Sequence, residues 1–461
     1  MQVNSDQTYD LVIQAGRVID PGSNLDTVCN VGINGGVIQA LSKEKLIGQS
    51  ILDARNLIVS PGFIDLNSHG QTDESYRCQA MDGVTTALAL EIGTAEVAQW
   101  YAERENKAKI NFGVNIGHVP VRMKVMHDKG SFLPIGDAAN REATLSEVEL
   151  MKEQIELGLK QGAVAVGFGI QYTSNASSWE ILEMFRVAAK YDALCYVHLR
   201  NLGEFGKNNS ISALEEVIAA TTITGAPLQV THIHSIGLQA APKLLQMIDE
   251  AKTNGVNIGV DFYPYTAAMT FIESALFDEG WRETMGIDYQ NLQWVDSGEH
   301  LTAESFRYYR EIGGAVIIHL VPDEMLESIV SNPITMVATD GYLRDGKGHP
   351  RTSGTYSRML GQYVRETGTL SWMECIRKMT LMPAQRIESR VQSMKKKGRI
   401  SVGCDADITI FDPNTVSDQS TYQEPSRYSK GVKYVLVCGE FVVWEGQLQE
   451  DKTPGMPIRA I

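Results

Sequence analysis

The stretch WEILEMFRVAAKYDALCYVH, Trp179 to His198, carries two periods in succession. Apolar residues recur at helical spacing as far as Lys190, and the run then changes to a short apolar segment, Ala193 to His198, of the length of a buried strand. The same succession returns along the chain. Glu147 to Lys160 leads into AVAVGF (Ala163 to Phe168), Ser212 to Thr224 into PLQVTH (Pro227 to His232), Lys243 to Lys252 into VNIGVDF (Val256 to Phe262), and Pro322 to Val330 into ITMVATD (Ile334 to Asp340). GFIDLNSH (Gly62 to His69), VTTALALE (Val84 to Glu91) and NFGVNIGH (Asn111 to His118) bring the strands to eight. Strands alternating with amphipathic helices predict parallel pairing through crossover helices, and eight such units predict a (β/α)8 TIM-type barrel. AVIIHL (Ala315 to Leu320) would be a ninth strand and is assigned to an insertion after strand seven, near residues 266–320.

The two ends of the chain read differently. Asp10 to Asp53 and Gly398 to Gly446 contain short alternating strands with turn signals at Pro21-Gly22, Gly35-Gly36 and Cys438-Gly439. Both ends are expected to pair into one small β-sandwich-like domain, residues 1–60 and 396–461, beside a barrel of residues 61–395.

Composition narrows the function classes. Of the 461 residues 43% are hydrophobic and 21% charged, enough apolar surface for a large core. The formal net charge of -15 excludes the basic face that nucleic-acid binding needs. No apolar run reaches bilayer length, so no membrane partner is expected. The six cysteines are scattered without CxxC spacing, and Met1 to Asp10 lacks the basic and apolar segments of a signal peptide. A reducing, cytoplasmic setting is expected, and a homo-oligomer is compatible with it.

In a (β/α)8 barrel the reactive groups stand at the C-terminal ends of the strands. Here His69, Glu91, His198, His232 and Asp340 each close an apolar run. One strand-end histidine alone is more often a half-buried structural residue than a ligand. Five such endings at one mouth are another matter, because buried carboxylates and imidazoles are costly unless paired or bound to a metal. Two neutral imidazoles and a carboxylate make a zinc-type site with a position left open for water.

With these segments in view, the chain resembles the D-aminoacylases, the N-acyl-D-amino-acid deacylases of the amidohydrolase superfamily. The resemblance runs through PGFID (Pro61 to Asp65), DGVTT (Asp82 to Thr86), GHVPVR (Gly117 to Arg122), VHLR (Val197 to Arg200), VTHIH (Val230 to His234), DFYPYTA (Asp261 to Ala267), ATDG (Ala338 to Gly341), HPRTSGTYSRMLGQYVRE (His349 to Glu366) and GRISVGCDADITIFDP (Gly398 to Pro413). It implies metal-ligand roles for His198 and His232, a general acid/base role for Asp340, and a grip on the substrate carboxylate by Arg351 and Tyr265. The implied substrate is a small N-acylated amino acid, hydrolysed at its amide bond.

Three positions depart from the family pattern. Strand one usually ends in HxH, but here the pair is Asn67 and His69. The family's cysteine after strand two is absent, and Glu91 stands one position earlier, where its carboxylate is read as the replacement ligand. His234 occupies a position that often holds a lysine near the substrate carboxylate. Strand four ends near Phe168 and Gly169 without a lysine, which argues against a carboxylated-lysine bridge. The expected centre is one tight zinc ion on Glu91, His198 and His232, with a second site at His69 weak or absent. His69 is otherwise expected to hydrogen-bond the developing oxyanion. Two other readings stand beside this one: a related hydrolase acting on a cyclic amide or dipeptide-like bond, and a catalytically silent barrel used as a binding module.

Overall fold

In the computed structural model, which describes residues 7–206 and 208–460, all eight expected strands form one parallel sheet. The segment Met1 to Asp6, on which part of the leader reading rests, lies outside the described residues. The barrel strands are β1 (Phe63–Asp65), β2 (Val84–Thr94), β3 (Asn111–Gly117), β4 (Ala165–Gly169), β5 (Leu194–His198), β6 (Leu228–Val230), β7 (Ile258–Phe262) and β8 (Thr335–Val337). Each pairs in parallel with the next in chain order. The ring closes just past the ends of β8 and β1, where Ser68 and Gly341 form a parallel bridge and the His69 amide donates to the Gly341 carbonyl at 2.9 Å.

Local chemistry sets the helix bounds. Leu145–Lys160 starts two residues before the expected Glu147 because Thr144 and Glu147 form a capping box, and Val148, Met151, Ile155 and Leu159 make its buried stripe. Ser210–Thr224 starts at the Asn209 cap and stops at Gly225, whose φ of 78° is the left-handed conformation of a helix C-terminus.

The segment between β7 and β8 carries its own antiparallel sheet. Ala267–Phe271 and Leu292–Trp294 both pair with Ala315–His319, the run set aside as a ninth strand. This sheet overhangs the mouth of the barrel and supplies one wall of the site.

The chain ends build a second, nine-stranded sheet. Ile58–Pro61 pairs antiparallel with Ile408–Phe411, which welds the N-terminal strands to the C-terminal ones. Leu11, Val18, Val31, Ile33, Ile408, Ile410 and Leu436 fill its core. The Cys438-Gly439 hairpin is present, with positive φ at both residues as a tight primed turn requires. Residues 455–460 leave this sheet and run along the barrel floor. There Phe112 and Ile458 are hydrogen-bonded, and Ile458 packs with Ile64, Leu88 and Val164.

Candidate metal centre

Five strand ends converge. Glu91 Oε2 lies 3.6 Å from His232 Nε2 and 3.5 Å from His69 Nε2. His69 Nε2 is 2.9 Å from Asp340 Oδ1, and Asp340 Oδ2 is 3.9 Å from His232 Nε2. Two triads offer ligand atoms within 4.8 Å of one another: Glu91, His198 and His232, and His69, Glu91 and Asp340. Glu91 belongs to both.

The imidazoles are held so that Nε2 faces the cluster. His198 Nδ1 donates to the Leu199 carbonyl at 3.0 Å, and His232 Nδ1 meets Ser235 Oγ at 2.9 Å. A ring whose Nδ1 carries the hydrogen presents its Nε2 lone pair to a cation. Burial, and next the neighbouring His232, push His198 down to about 4, so it keeps that lone pair free. The ring centroids of His198 and His232 are 4.8 Å apart. Two imidazoles and one carboxylate on separate strands are the donor set of a hydrolytic zinc site, and the residues present fit such an ion.

His232 and Asp340 sit where strands become loops, and both have positive φ, 27° and 52°. Such backbone is costly in residues other than glycine and persists only where the surroundings fix it. At His232 the fixing group is Asp261, which accepts from the His232 amide at 2.8 Å, from Gln229 Nε2 at 2.8 Å and from the Tyr196 hydroxyl at 2.6 Å. Tyr196 lies two residues below His198 on the same face of β5. Around β1 and β8, Asp65 plays the matching part, accepting from the amides of Asn67 and Thr339 at 3.1 Å and 2.9 Å.

Charge is tightly coupled here. Burial opposes a proton on His69, but hydrogen bonds to Asp340 and Glu91 overcome it and raise the imidazole to about 10. Burial likewise opposes charge on Glu91, yet His232 and His69 hold it well below the usual carboxylate range.

Arg351 covers the centre from the helix Arg351–Arg358. Its guanidinium is 1% exposed, pairs with Asp340 Oδ2 at 2.7 Å and lies 4.4 Å over the Tyr263 ring. Its Nε and Nη1 have no partner among the described residues, which leaves two donors for an incoming acceptor. Two adjoining clefts open on the cluster. The first brings together His69, Glu91, Asp340 and Arg351 under Phe132 and Phe271. The second brings His198 and His232 under Leu202, Met285, Ile318 and Leu320.

Two of the residues picked from the sequence stand back from these clefts. His234 is fully buried, neither ring nitrogen has a partner among the described residues, and its ring meets Tyr263 edge-on at 4.2 Å. Burial, then His232 and Arg351, keep it neutral, well below its ordinary value. Tyr265 turns its hydroxyl to the Pro350 carbonyl at 3.5 Å and stacks beneath Arg358. Tyr172 and Tyr263, which were not picked, do line the second cleft. Their signal was present, since DFYPYTA contains Tyr263 and Tyr172 follows β4.

A parallel barrel that gathers imidazoles and a shared carboxylate at its mouth, beside an aspartate–arginine pair, has the build of a metal-dependent hydrolase. Comparison with known proteins gives the class a name. Residues 123–443 match the model of the amidohydrolase family, and the chain belongs to that family. It is 29% identical to the N-acyl-D-glutamate deacylase of Alcaligenes xylosoxydans xylosoxydans over 94% of this chain and 93% of the relative. It is 26% identical to the D-aminoacylase of the same organism over 97% of both chains. The crystal structure of the N-acyl-D-glutamate deacylase of Bordetella bronchiseptica, complexed with zinc and a phosphonate that mimics the tetrahedral intermediate, superposes with a TM-score of 0.84. That likeness covers 98% of this chain and 100% of the other at 26% identity.

Proposed function

We propose that this chain hydrolyses the amide bond of an N-acyl-D-amino acid, using one divalent ion held by Glu91, His198 and His232. The observation that carries the reading is the placement of a two-histidine, one-carboxylate donor set next to an aspartate and an arginine with free donors. The D configuration rests on the named activities of the relatives. When bound, a zinc ion would polarise the scissile carbonyl and lower the pKa of the attacking water.

The chain's own residues supply the rest. Arg351 binds the substrate carboxylate through the guanidinium N–H groups that Asp340 leaves free, each able to donate one charge-assisted hydrogen bond. Asp340 takes the proton from water and returns it to the departing amine nitrogen, giving a carboxylic acid and a free amino acid. His69, bonded to Asp340 at 2.9 Å, orients that carboxylate. The apolar walls of both clefts keep bulk water from the reacting atoms. We assign the barrel to residues 61–395, and the six free thiols support a cytoplasmic setting.

The test pairs metal quantification of dialysed protein with turnover of a panel of N-acyl-D- and N-acyl-L-amino acids. One zinc per chain and hydrolysis of the D series is expected. Hydrolysis of cyclic amides alone, or two tightly retained ions, would overturn the reading.

A further inference from the structure

Asn67 stands where the resemblance leads one to expect an imidazole ligand, and it is fully buried among the groups of the centre. Its Nδ2 donates to Glu91 Oε2 at 2.7 Å and to Thr231 Oγ1 at 2.9 Å. The Thr231 hydroxyl spends its own hydrogen on Asp261 Oδ1 at 3.3 Å, so toward Asn67 it can only accept. Two acceptors therefore fix which end of the amide is which. Turned over, the amide would set its oxygen against a carboxylate oxygen at that same distance. The end of Asn67 that faces the metal site is a donor with no lone pair to offer an ion.

Glu91 needs such a donor. It is a buried carboxylate on β2, and the oxygen that Asn67 bonds is the one that faces His232 at 3.6 Å and His69 at 3.5 Å. A glutamate has three side-chain torsions to fix, where a cysteine ligand has one. Without that anchor its carboxylate would be left to the longer contacts of His69 and His232 and to the ion itself, at a cost in conformational entropy. A charge-assisted hydrogen bond from Asn67 supplies that order beforehand. Its backbone is held from behind, since the Asn67 amide donates to Asp65 Oδ1 at 3.1 Å and Asp65 is itself fixed by the Thr339 amide at 2.9 Å.

We infer that Asn67 is a positioning residue for the metal ligand Glu91, the two forming a matched pair in which an amide two residues past the end of β1 fixes a carboxylate on β2. This rests on the metal reading above and adds to it a residue that does not itself touch the ion. Asparagine at 67 and glutamate at 91 then depend on each other, and a change at one site is felt through the other.

The experiment measures the zinc dissociation constant of reconstituted full-length protein by competition with a chromogenic chelator. The proteins compared are wild type, Asn67→Ala, Glu91→Ala and the double variant, with circular dichroism and the unfolding midpoint of each metal-free form beside it. Asn67→Ala is expected to weaken zinc binding by roughly 10- to 100-fold, the scale found for lost partners of metal ligands, with the metal-free fold preserved. In the Glu91→Ala background, where neither the acceptor nor the ligand remains, the same substitution should change affinity by less than about threefold, because its route to the ion is already cut. Should Asn67→Ala fail to fold, Thr231→Val removes the other anchor of the amide and is expected to weaken zinc in the same, Glu91-dependent way. Wild-type affinity in a folded Asn67→Ala, or full additivity with Glu91→Ala, would overturn the inference. A wild-type protein that takes up no zinc would instead overturn the metal reading itself, and the inference with it.

Discussion

At the scale of single residues, Asp340 and Arg351 have roles that separate experimentally even though their side chains touch at 2.7 Å. Asp340→Asn keeps the shape but cannot accept the water proton, so it should lower kcat by about 10² to 10⁴ with an unchanged fold. Steady-state kinetics on the best substrate decides it, and turnover within threefold of wild type would remove Asp340 from proton transfer. Arg351→Lys keeps one charge and loses the N–H groups that the guanidinium can turn to the substrate while it stays paired with Asp340. It should lower kcat/KM for carboxylate-bearing substrates by about 10-fold or more while sparing their carboxamide analogues. Equal losses on both series would show that Arg351 does not read the carboxylate. The residues that sequence could expose were those whose type is anomalous where they stand, such as a histidine closing PLQVTH or a glutamate closing VTTALALE. Asn67 was legible only as a missing imidazole. Its bond to Glu91 joins residues 24 apart in the chain, and no local pattern encodes a partner's orientation.

At the scale of elements, the eight strands were readable because each pairs an apolar run with a helical period before or after it, and the insertion declared itself as one strand too many. Its function was not readable. That Ala267–Phe271 and Ala315–His319 would pair and place Met269, Thr270 and Ile318 over the mouth depends on a long-range contact. Nor did the sequence show why β6 and β7 hold their register at the site. Asp261 does this by bonding the strained His232 backbone and the Tyr196 and Gln229 side chains of the two preceding strands. Asp261→Ala would leave those three donors buried without an acceptor, and it is expected to destabilise the protein by about 3 kcal/mol or more. Chemical denaturation of the metal-free protein measures it, and zinc affinity should fall in parallel because His232 loses its support. A loss below about 1 kcal/mol would mean that the register is set elsewhere.

At the scale of the molecule, the two ends of the barrel do different work. The mouth holds the chemistry, and the floor is sealed by the last residues of the chain after they leave the nine-stranded sheet. Met456 accepts from the Phe112 amide at 3.1 Å, Ile458 donates back to Phe112 at 2.7 Å, and the Tyr101 hydroxyl donates to the Ile458 carbonyl at 2.6 Å. Gly113 makes the close approach possible, since a Cβ there would stand 2.8 Å from the Ile458 carbonyl oxygen. Ile458 itself is 1% exposed, so its side chain alone contributes about 1.5–3 kcal/mol of burial. Removing residues 454–461 should therefore lower the free energy of unfolding by on the order of 2–5 kcal/mol, once the lost hydrogen bonds are included. Gly113→Ala, which lifts the tail without shortening the chain, should shift stability in the same direction by less. Because the tail lies against the strand beginnings and the ligands sit at the strand ends, kcat/KM of the folded fraction should stay within about twofold of wild type for both variants. Denaturant titration paired with kinetics well below the unfolding midpoint separates the two effects. A folded, stable truncation with lost activity would show that the floor communicates with the metal centre, and that the division of labour between the two ends of the barrel is incorrect.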